Sequence, residues 1–300
     1  MPQRPVTTDD VSALFDLFRR AERAELGEPY STAVDIDRLL GTDGLDLPSR
    51  SMAILADDGR FDGFAALHPA PNQSALRAQL IVGPQRPTET ASPLLDLLAA
   101  WAEADRGDLD EVNAYQFPSA LAGPALTAHG WRIVHSNTRL VVDLAAPSVP
   151  FTPNPRIRIR VAAQEAEQRL AHAILEDAIA ADWNHRRSEF AEFLAGQQAR
   201  PGYDPQLWFV AELDDEPAGV LIARDPEERP WVAWLGVAEI ARGNGLAKHL
   251  LLTAFDAFRA RGRRSVGVDT DTHNATDAVK VYERAGMVSQ GTADAWARKL

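Results

Sequence analysis

The stretch Trp231–Lys248, WVAWLGVAEIARGNGLAK, sets the structural pattern of the second half of this 300-residue chain. The unbroken apolar run from Val232 to Val237 is typical of a buried strand, and a short turn at 238–241 follows it. Beyond the turn, apolar side chains recur at helical spacing, at Leu246, Leu250, Leu251, Phe255 and Phe258. The stretch therefore predicts a strand, a turn and a long helix.

Small residues, including Gly243 and Gly245, surround the predicted start of this helix. A helix N-terminus presents unpaired N–H groups and the positive end of the helix dipole, and small residues leave those groups uncovered. A phosphate or pyrophosphate binds at such a place, although an ordinary strand-to-helix turn uses glycine as well. The spacing does not match the nucleotide P-loop, which has four residues between its glycines and then Gly-Lys-Ser/Thr. It does not match the dinucleotide fingerprint either, because position 248 is Lys and no third glycine follows.

A second stretch, from Ser265 to Met287, predicts another strand over 265–270 and a short helix that ends at Gly286. The first stretch contains the motif Arg242-x-x-Gly245-x-Ala247, which follows a strand that ends with Leu235-Gly236-Val237. The second contains the motif Asn274-x-x-x-Ala278-x-x-x-Tyr282-x-x-x-Gly286-Met287. Over roughly residues 156 to 300, this joint pattern resembles the two signature motifs of the GCN5-related N-acetyltransferase (GNAT) superfamily.

The resemblance implies a fold and an activity. GNAT domains are α/β (α+β) structures, each with a mixed, mostly antiparallel sheet flanked by helices. They hold both substrates at once and pass the acetyl group directly to an amine, so no acyl-enzyme is expected. We therefore expect acetyl-CoA as the acyl donor, a small-molecule amine as the acceptor, and no metal.

The donor-binding residues of the family map onto this chain by the same resemblance. Backbone N–H groups of its pyrophosphate cradle correspond to Arg242, Gly243, Asn244, Gly245, Leu246, Ala247 and Lys248. The strand edge that pairs with the pantetheine arm corresponds to Leu235, Gly236 and Val237, and the Val237 N–H would donate to the acetyl carbonyl. Two alternatives stay open: Arg242 adds charge to the cradle or pairs with a nearby acid, and Asn274 contacts the donor or caps the next helix.

The resemblance assigns acid catalysis to Tyr282, whose phenol would protonate the departing CoA thiolate. A phenol with a pKa near 10 suits a thiolate whose conjugate acid has a pKa near 8.5; the alternative for Tyr282 is a core aromatic on a helix face. The sequence does not identify the base, since the predicted strand carries no acid. The candidates elsewhere are Glu227, Glu228, Asp269, Asp271, Asp182 and His185.

The two halves of the chain repeat each other at an offset of about 155 residues. Gly63 falls opposite Gly219, and Gly130 opposite Gly286. A segment with four prolines, 145–155, separates the halves and is typical of a linker. We therefore predict two tandem GNAT-like domains, a degenerate one at 1–144 and a catalytic one at 156–300, joined by the linker at 145–155.

The first copy lacks the residues that would bind and activate the donor. Opposite Arg242–Ala247 stand Pro87–Ser92, where Glu89 adds a negative charge and proline lacks an N–H. Leu126 replaces Tyr282, and Pro118 replaces Asn274. We therefore expect catalysis in the second copy alone.

Composition narrows the class of protein. The net charge of −12 argues against nucleic acid as a partner, because a nucleic-acid backbone requires a basic surface. The absence of cysteine excludes disulfides and thiolate chemistry. No apolar run is long enough to span a membrane, and the N-terminus has no signal core. The sequence predicts a globular cytoplasmic protein and leaves the oligomeric state open.

The tandem arrangement also resembles that of the mycothiol synthases, which have a glutamate at the position of Trp231. That departure makes a generic small-molecule amine the main expectation, with mycothiol-type acetylation of an amino-glycoside thiol precursor as an alternative. A further alternative is a non-catalytic module that only binds acyl-CoA.

Overall fold

The computed structural model describes residues 1–27, 29, 31–69, 76–116, 120–180, 187–227, 229–272 and 278–300. The chain divides into two compact units. Unit 1 consists of Met1–Asn137 and Gly291–Leu300, and unit 2 consists of Thr138–Gln290. No described helix is long and apolar enough to cross a membrane.

The first part of the chain contains both strands and helices. Its strands are β1 (Gln3–Arg4), β2 (Ser51–Leu55), β3 (Phe61–Pro69), β4 (Leu76–Val82), β5 (Glu111–Gln116) and β6 (Arg132–Asp143). Its helices are α1 (Val11–Leu26), α2 (Ala33–Leu40), α3 (Leu47–Arg50), α4 (Pro87–Asp105) and α5 (Gly123–Ala128).

The second part repeats the series after the linker. Its strands are β7 (Ile157–Val161), β8 (Trp208–Leu213), β9 (Glu216–Arg224), β10 (Trp231–Val237), β11 (Ser265–Asp271) and β12 (Val288–Lys299). Its helices are α6 (Glu165–Ala178), α7 (Phe190–Gln198), α8 (Leu246–Ala260) and α9 (Ala278–Arg284).

Each unit contains a mixed sheet of the predicted kind. In unit 1 the strand order is β1-β2-β3-β4-β5-β12, in which β4 and β5 are parallel and the other pairs recorded are antiparallel. In unit 2 the order is β7-β8-β9-β10-β11-β6, in which β10 and β11 are parallel, and β7 to β10 pair antiparallel in turn. In each unit a helix, α4 or α8, joins the two parallel strands, because consecutive parallel strands need a crossover connection. The predicted fold class is confirmed.

The division into units differs from the expected boundaries at 144 and 156. Residues 138–144 and the linker belong to unit 2, whereas residues 291–300 belong to unit 1. The reason is strand pairing: Trp296 and Lys299 of β12 lie opposite Ala114 and Glu111 of β5. Each unit is therefore completed by a strand that the sequence repeat assigns to the other half.

The stretch Trp231–Lys248 has the predicted structure. Strand β10 ends at Val237, a 3₁₀ turn follows at Glu239–Ala241, and α8 begins at Leu246. All five apolar positions that predicted the helix are buried in the core of unit 2, Leu246, Leu250, Leu251, Phe255 and Phe258.

Candidate active site

The loop between β10 and α8 owes its shape to two glycines. Gly243 and Gly245 have φ angles of 81° and 90°, in the left-handed region that other residues rarely adopt. A Cβ atom at Gly243 would have no heavy atom within 4 Å, so conformation and not crowding requires glycine there. Among the described residues, no side chain caps the N-terminus of α8. Its first N–H groups therefore face outward together with those of the loop.

Two polar side chains hold this loop in place. Asn244 donates from Nδ2 to the Ala241 carbonyl at 3.1 Å. Arg242 donates from Nε to the Val237 carbonyl and from Nη2 to the Ala178 carbonyl, each at 3.3 Å. Within the described part of the chain, Arg242 makes no ion pair. Of the two roles considered for Arg242, pairing with an acid is therefore not seen among the described residues. The guanidinium instead links the end of β10 to the end of α6, beside the loop.

The end of β10 has a main-chain edge that points away from β9. The Ala238 N–H donates to the Ala218 carbonyl at 2.8 Å, and Val237 lies opposite Gly219 in the next pair. Because hydrogen-bonded and non-hydrogen-bonded pairs alternate in an antiparallel ladder, Val237 and Leu235 belong to the non-hydrogen-bonded pairs. Their N–H and C=O groups therefore point toward the side of β11.

Strand β11 diverges from that edge. The parallel register joins β10 to β11 at Trp231 and Gly267, whereas β10 pairs with β9 from Trp231 to Val237. A bulge between Val232 and Trp234 accompanies the divergence, as expected from the extra bend and twist that a bulge introduces. The outward main-chain groups of Val237 and Leu235 thus line a gap between splayed strands.

The Trp231 side chain fills the closed end of this gap. A Cβ atom at Gly267 would lie 2.3 Å from a Trp231 ring carbon, so glycine is needed for the ring to lie against β11. The Arg139 guanidinium carbon lies 5.1 Å from the centre of the same ring, within cation–π range. Arg139 also donates from Nε and Nη2 to the two carboxylate oxygens of Asp269, at 2.7 and 2.6 Å. Both carboxylate oxygens of Asp269, one candidate base, are therefore bound to a guanidinium.

Sequence reasoning missed Arg139. It lies on β6, which the sequence repeat assigns to the first half, whereas the structure places residue 139 in unit 2. Its pairing with Asp269 joins residues that are far apart in the chain, and neither residue belongs to a motif that could have linked them.

Replacing Arg139 by alanine is expected to destabilise unit 2 by about 2–3 kcal/mol. Removing one partner of a buried ion pair typically costs about 3–5 kcal/mol because the other charge stays buried, and Asp269 is partly exposed, which lowers the cost. The Arg139 and Asp269 side chains are 8% and 25% exposed. Urea denaturation measures the loss, with Arg187→Ala as the control, since Arg187 and its partner Asp177 are 70% and 71% exposed. Equal losses for both variants would contradict the role given to the Arg139–Asp269 pair.

The remaining predicted site residues fall in different environments. Tyr282 lies on α9 with 6% of its surface exposed, in the core cluster that contains Leu246 and Val268 and against which Leu235 and Val237 pack. Asn274 lies outside the described residues, as do the base candidates Asp182, His185 and Glu228. Glu227 is exposed, as expected. Among the described residues, no three His, Cys, Asp or Glu side chains are grouped so that they could hold a metal ion.

The equivalent region of unit 1 has a different structure. Gly63 of β3 lies against Thr90 and Leu94 of α4, just as Gly219 of β9 lies against Leu246 and Leu250 of α8. Thr90 is therefore equivalent to Leu246. This moves the expected alignment of the two copies by one residue, and it places Arg86 opposite Arg242, and Glu89 opposite Gly245.

In unit 1 the residues that correspond to the glycine loop are part of a helix. Helix α4 begins at Pro87, a residue suited to the first helical position, so the residues equivalent to Gly243–Gly245 are helical and do not form an open loop. Charged side chains fill the space next to the end of β4, because a Cβ atom at Gly83 would lie 2.5 Å from Asp62 Oδ1 and 3.3 Å from Arg20 Nη1. Thr90 Oγ1 also donates to Asp62, at 3.3 Å.

Comparison with known proteins gives a family and a fold. Residues 168–287 match the model of the acetyltransferase (GNAT) family. A mycothiol acetyltransferase from Thermomonospora curvata is 28% identical over 243 residues, which cover 80% of this chain and 79% of that protein. A crystal structure of a GCN5-related N-acetyltransferase from Sphaerobacter thermophilus has a TM-score of 0.79 at 24% identity, covering 99% of this chain and 95% of that chain. A tandem GNAT protein from the clavulanic acid biosynthesis pathway has a TM-score of 0.65 at 19% identity, covering 99% and 98%.

The two structural likenesses establish the tandem GNAT fold, and the family match runs from within α6 to just beyond α9, including the glycine loop and Tyr282. This chain is therefore an acyltransferase with an acetyltransferase domain of the GNAT family at residues 168–287.

Proposed function

We propose that unit 2 is an acetyl-CoA-dependent N-acetyltransferase that passes an acetyl group directly to the amine of a small molecule. The observation that carries the proposal is the uncapped start of α8, with its two left-handed glycines, next to the outward main-chain edge of β10. The N–H groups of the loop suit a diphosphate, and the strand edge suits the amides of a pantetheine arm.

The residues of unit 2 have distinct roles in the proposed reaction, for which the donor supplies an acyl group activated as a thioester. The Val237 N–H, which points into the gap, donates to the acyl oxygen and stabilises the negative charge that develops there. The acceptor nitrogen forms a bond to the acyl carbon as the carbon–sulfur bond breaks. Tyr282 gives its phenolic proton to the leaving thiolate. The acceptor nitrogen loses one proton to water, and a proton from water restores the phenol, so that the products are an amide and a thiol.

Unit 1 is proposed to be a degenerate copy without donor binding. Its equivalent of the loop is helical from Pro87, and Glu89 stands where a donor phosphate would have to bind. The Asp62 side chain lies buried next to Gly83, at a position where unit 2 has the uncharged Ala218. We therefore expect one donor molecule per chain.

The acceptor is proposed to be an amine with an apolar body. Trp234 packs with the α6–β8 core on one face of the sheet, and its ring lies 6.4 Å from that of Phe193. Trp231 and the neutralised Arg139–Asp269 pair line the neighbouring part of the gap. This wall offers apolar surface and no unpaired carboxylate from Asp269 to attract a sugar-borne ammonium group.

A second candidate is a mycothiol-type acetylation, favoured by the 28% identity to the mycothiol acetyltransferase of Thermomonospora curvata. A panel of acceptors decides between the two. Thiol release from acetyl-CoA is measured with aromatic amines, aliphatic amines and a cysteinyl amino-glycoside. Turnover of the glycoside above all other amines would establish the second candidate, and an absence of turnover with every amine would contradict both.

Tyr282→Phe is expected to lower kcat by about tenfold or more, because general acid catalysis typically contributes a factor of about 10²–10⁴ and water can replace part of it. Acetyl-CoA affinity, measured by calorimetry, should stay nearly unchanged, since the phenyl ring keeps its place in the core. Tyr203→Phe is the matched control, because Tyr203 is also in unit 2 and its hydroxyl accepts from Gln168 at 3.2 Å. An unchanged kcat for Tyr282→Phe would remove Tyr282 from its proposed role.

A further inference from the structure

The proline-rich linker contacts the first turn of α8. The main-chain N–H of Asn154 donates to Nε2 of His249 at 2.9 Å. The other ring nitrogen of His249, Nδ1, lies 3.0 Å from the carbonyl oxygen of Gly245. The Phe151 ring packs against the same imidazole edge-on, with ring centres 4.5 Å apart at 78°. One histidine thus joins the linker to the glycine that precedes α8.

These contacts determine the protonation state of the ring. A backbone N–H can only donate, so Nε2 of His249 must carry a lone pair. The proton of the neutral ring is then on Nδ1, where it donates to the Gly245 carbonyl. A second proton on Nε2 would place two N–H groups against each other and break the bond to Asn154. The contact between linker and helix therefore requires the neutral imidazole.

We propose that His249 is a positioning residue for the donor loop, which fixes Gly245 through its neutral ring and loosens the loop when the ring is protonated. The inference rests on the proposed function, since it takes the loop to be the site of the donor diphosphate. Gly245 has the left-handed backbone that ends the loop, and its carbonyl accepts from both the main-chain N–H and the ring of His249. A loop fixed in this way does not have to be ordered when the donor binds.

Charged side chains lie near the linker and the first turn of α8. The elements that contact the imidazole are α8 and the linker, and the linker itself has no charged residue. Lys248 on α8 holds its ammonium 5.5 Å from the centre of the Phe151 ring. At the ends of these elements lie Arg242, and Arg156 in an ion pair with Asp214. Among the described residues, neither Lys248 nor Arg242 makes an ion pair.

The experiment compares the whole protein with two single variants by calorimetric titration of acetyl-CoA from pH 5.5 to 8.5. His249→Phe keeps an aromatic ring against Phe151 and removes both hydrogen bonds. His129→Phe is the matched control, because His129 in unit 1 also has Nδ1 at hydrogen-bond distance, 2.8 Å, from the carbonyl four residues earlier, that of Ala125. Protonation of the acetyl-CoA phosphates contributes equally to all three pH profiles. Differences between the profiles therefore come from the protein.

At pH 8.5 the His249→Phe variant is expected to bind acetyl-CoA about five- to tenfold more weakly than the wild type. The reason is that it loses one or two hydrogen bonds that order the site. The wild type should lose this advantage as the pH falls and histidine takes up its second proton. The His129→Phe variant should follow the wild type throughout. Nitrogen-15 NMR of the wild type at pH 8.5 should show His249 protonated on Nδ1.

Three results would overturn the inference alone while the proposed function stands: a His249 ring protonated on Nε2, equal affinity of the wild type and His249→Phe at pH 8.5, or parallel pH profiles for the two. The NMR spectrum and the wild-type profile need no variant, so a folding defect in His249→Phe does not prevent the test. If the wild type fails to bind acetyl-CoA at every pH, the proposed function and the inference fall together.

Discussion

Gly245→Glu is expected to abolish acetyl-CoA binding, with a dissociation constant raised at least about 100-fold. Two unit charges 4 Å apart repel by about 4 kcal/mol at an effective dielectric constant of 20, which corresponds to a factor of about 1000. The new carboxylate would stand among the N–H groups proposed to hold the donor diphosphate. The φ angle of 90° at Gly245 would also strain a residue with a Cβ atom by about 1–2 kcal/mol.

The control for this variant is Gly262→Glu. It shows how much of the effect comes from placing a glutamate at any left-handed glycine and how much comes from a negative charge in the donor loop. Gly262 lies just beyond the other end of α8, has a φ angle of 74°, and has no heavy atom within 4 Å of a built Cβ. The same substitution there carries a similar backbone strain far from the donor loop. Calorimetry should show wild-type affinity for Gly262→Glu. Retained affinity in Gly245→Glu would show that the donor binds elsewhere.

Unit 1 offers a natural counterpart to Gly245→Glu. With Thr90 equivalent to Leu246, Glu89 occupies the position of Gly245 in the first copy. The alignment from sequence alone placed Thr90 there instead. The correction strengthens the expectation that one copy binds the donor, and titration should give one site per chain.

The strand β10 and the helix α8 could be predicted from sequence because two strong signals agree there. A continuous apolar run specifies a buried strand, and five apolar residues at helical spacing specify the helix that packs on it. The motif residues between them are also local, so their resemblance to a family can be recognised without knowledge of the fold.

Other features depend on contacts between distant parts of the chain. Arg139 reaches Asp269 and Trp231 only because β6 joins the sheet of unit 2. The contact between Asn154 and His249 depends on the path of a linker that contains four prolines and no periodic pattern. Strand β12 gave no signal, since its polar residues and Gly291 interrupt the alternation that predicts a strand.

Trp296→Ala is the second variant expected to have a large effect, through stability instead of binding. Trp296 is 4% exposed and belongs to the core cluster of unit 1 that contains Val112, Leu126 and Trp131. Removing a buried tryptophan side chain typically costs about 3–5 kcal/mol, a large part of the roughly 5–15 kcal/mol that stabilises an ordinary domain. The sequence repeat assigns this residue to the second half, so its effect on unit 1 tests the strand assignment directly.

Hydrogen exchange identifies the unit that the Trp296→Ala substitution weakens. Trp296 lies opposite Ala114 in the β5–β12 register, so amides of β5 and of the unit 1 core should lose protection. Val288→Ala is the control on the same strand, since Val288 is 65% exposed and its truncation should change the free energy of unfolding by less than about 0.5 kcal/mol. If Trp296→Ala instead removed protection from β9 to β11 and spared β5, the last strand would belong to the core of the second half, as the repeat suggested. Loss of protection in β5 would mean that the first half of this chain, cut at the linker, lacks a strand of its own sheet.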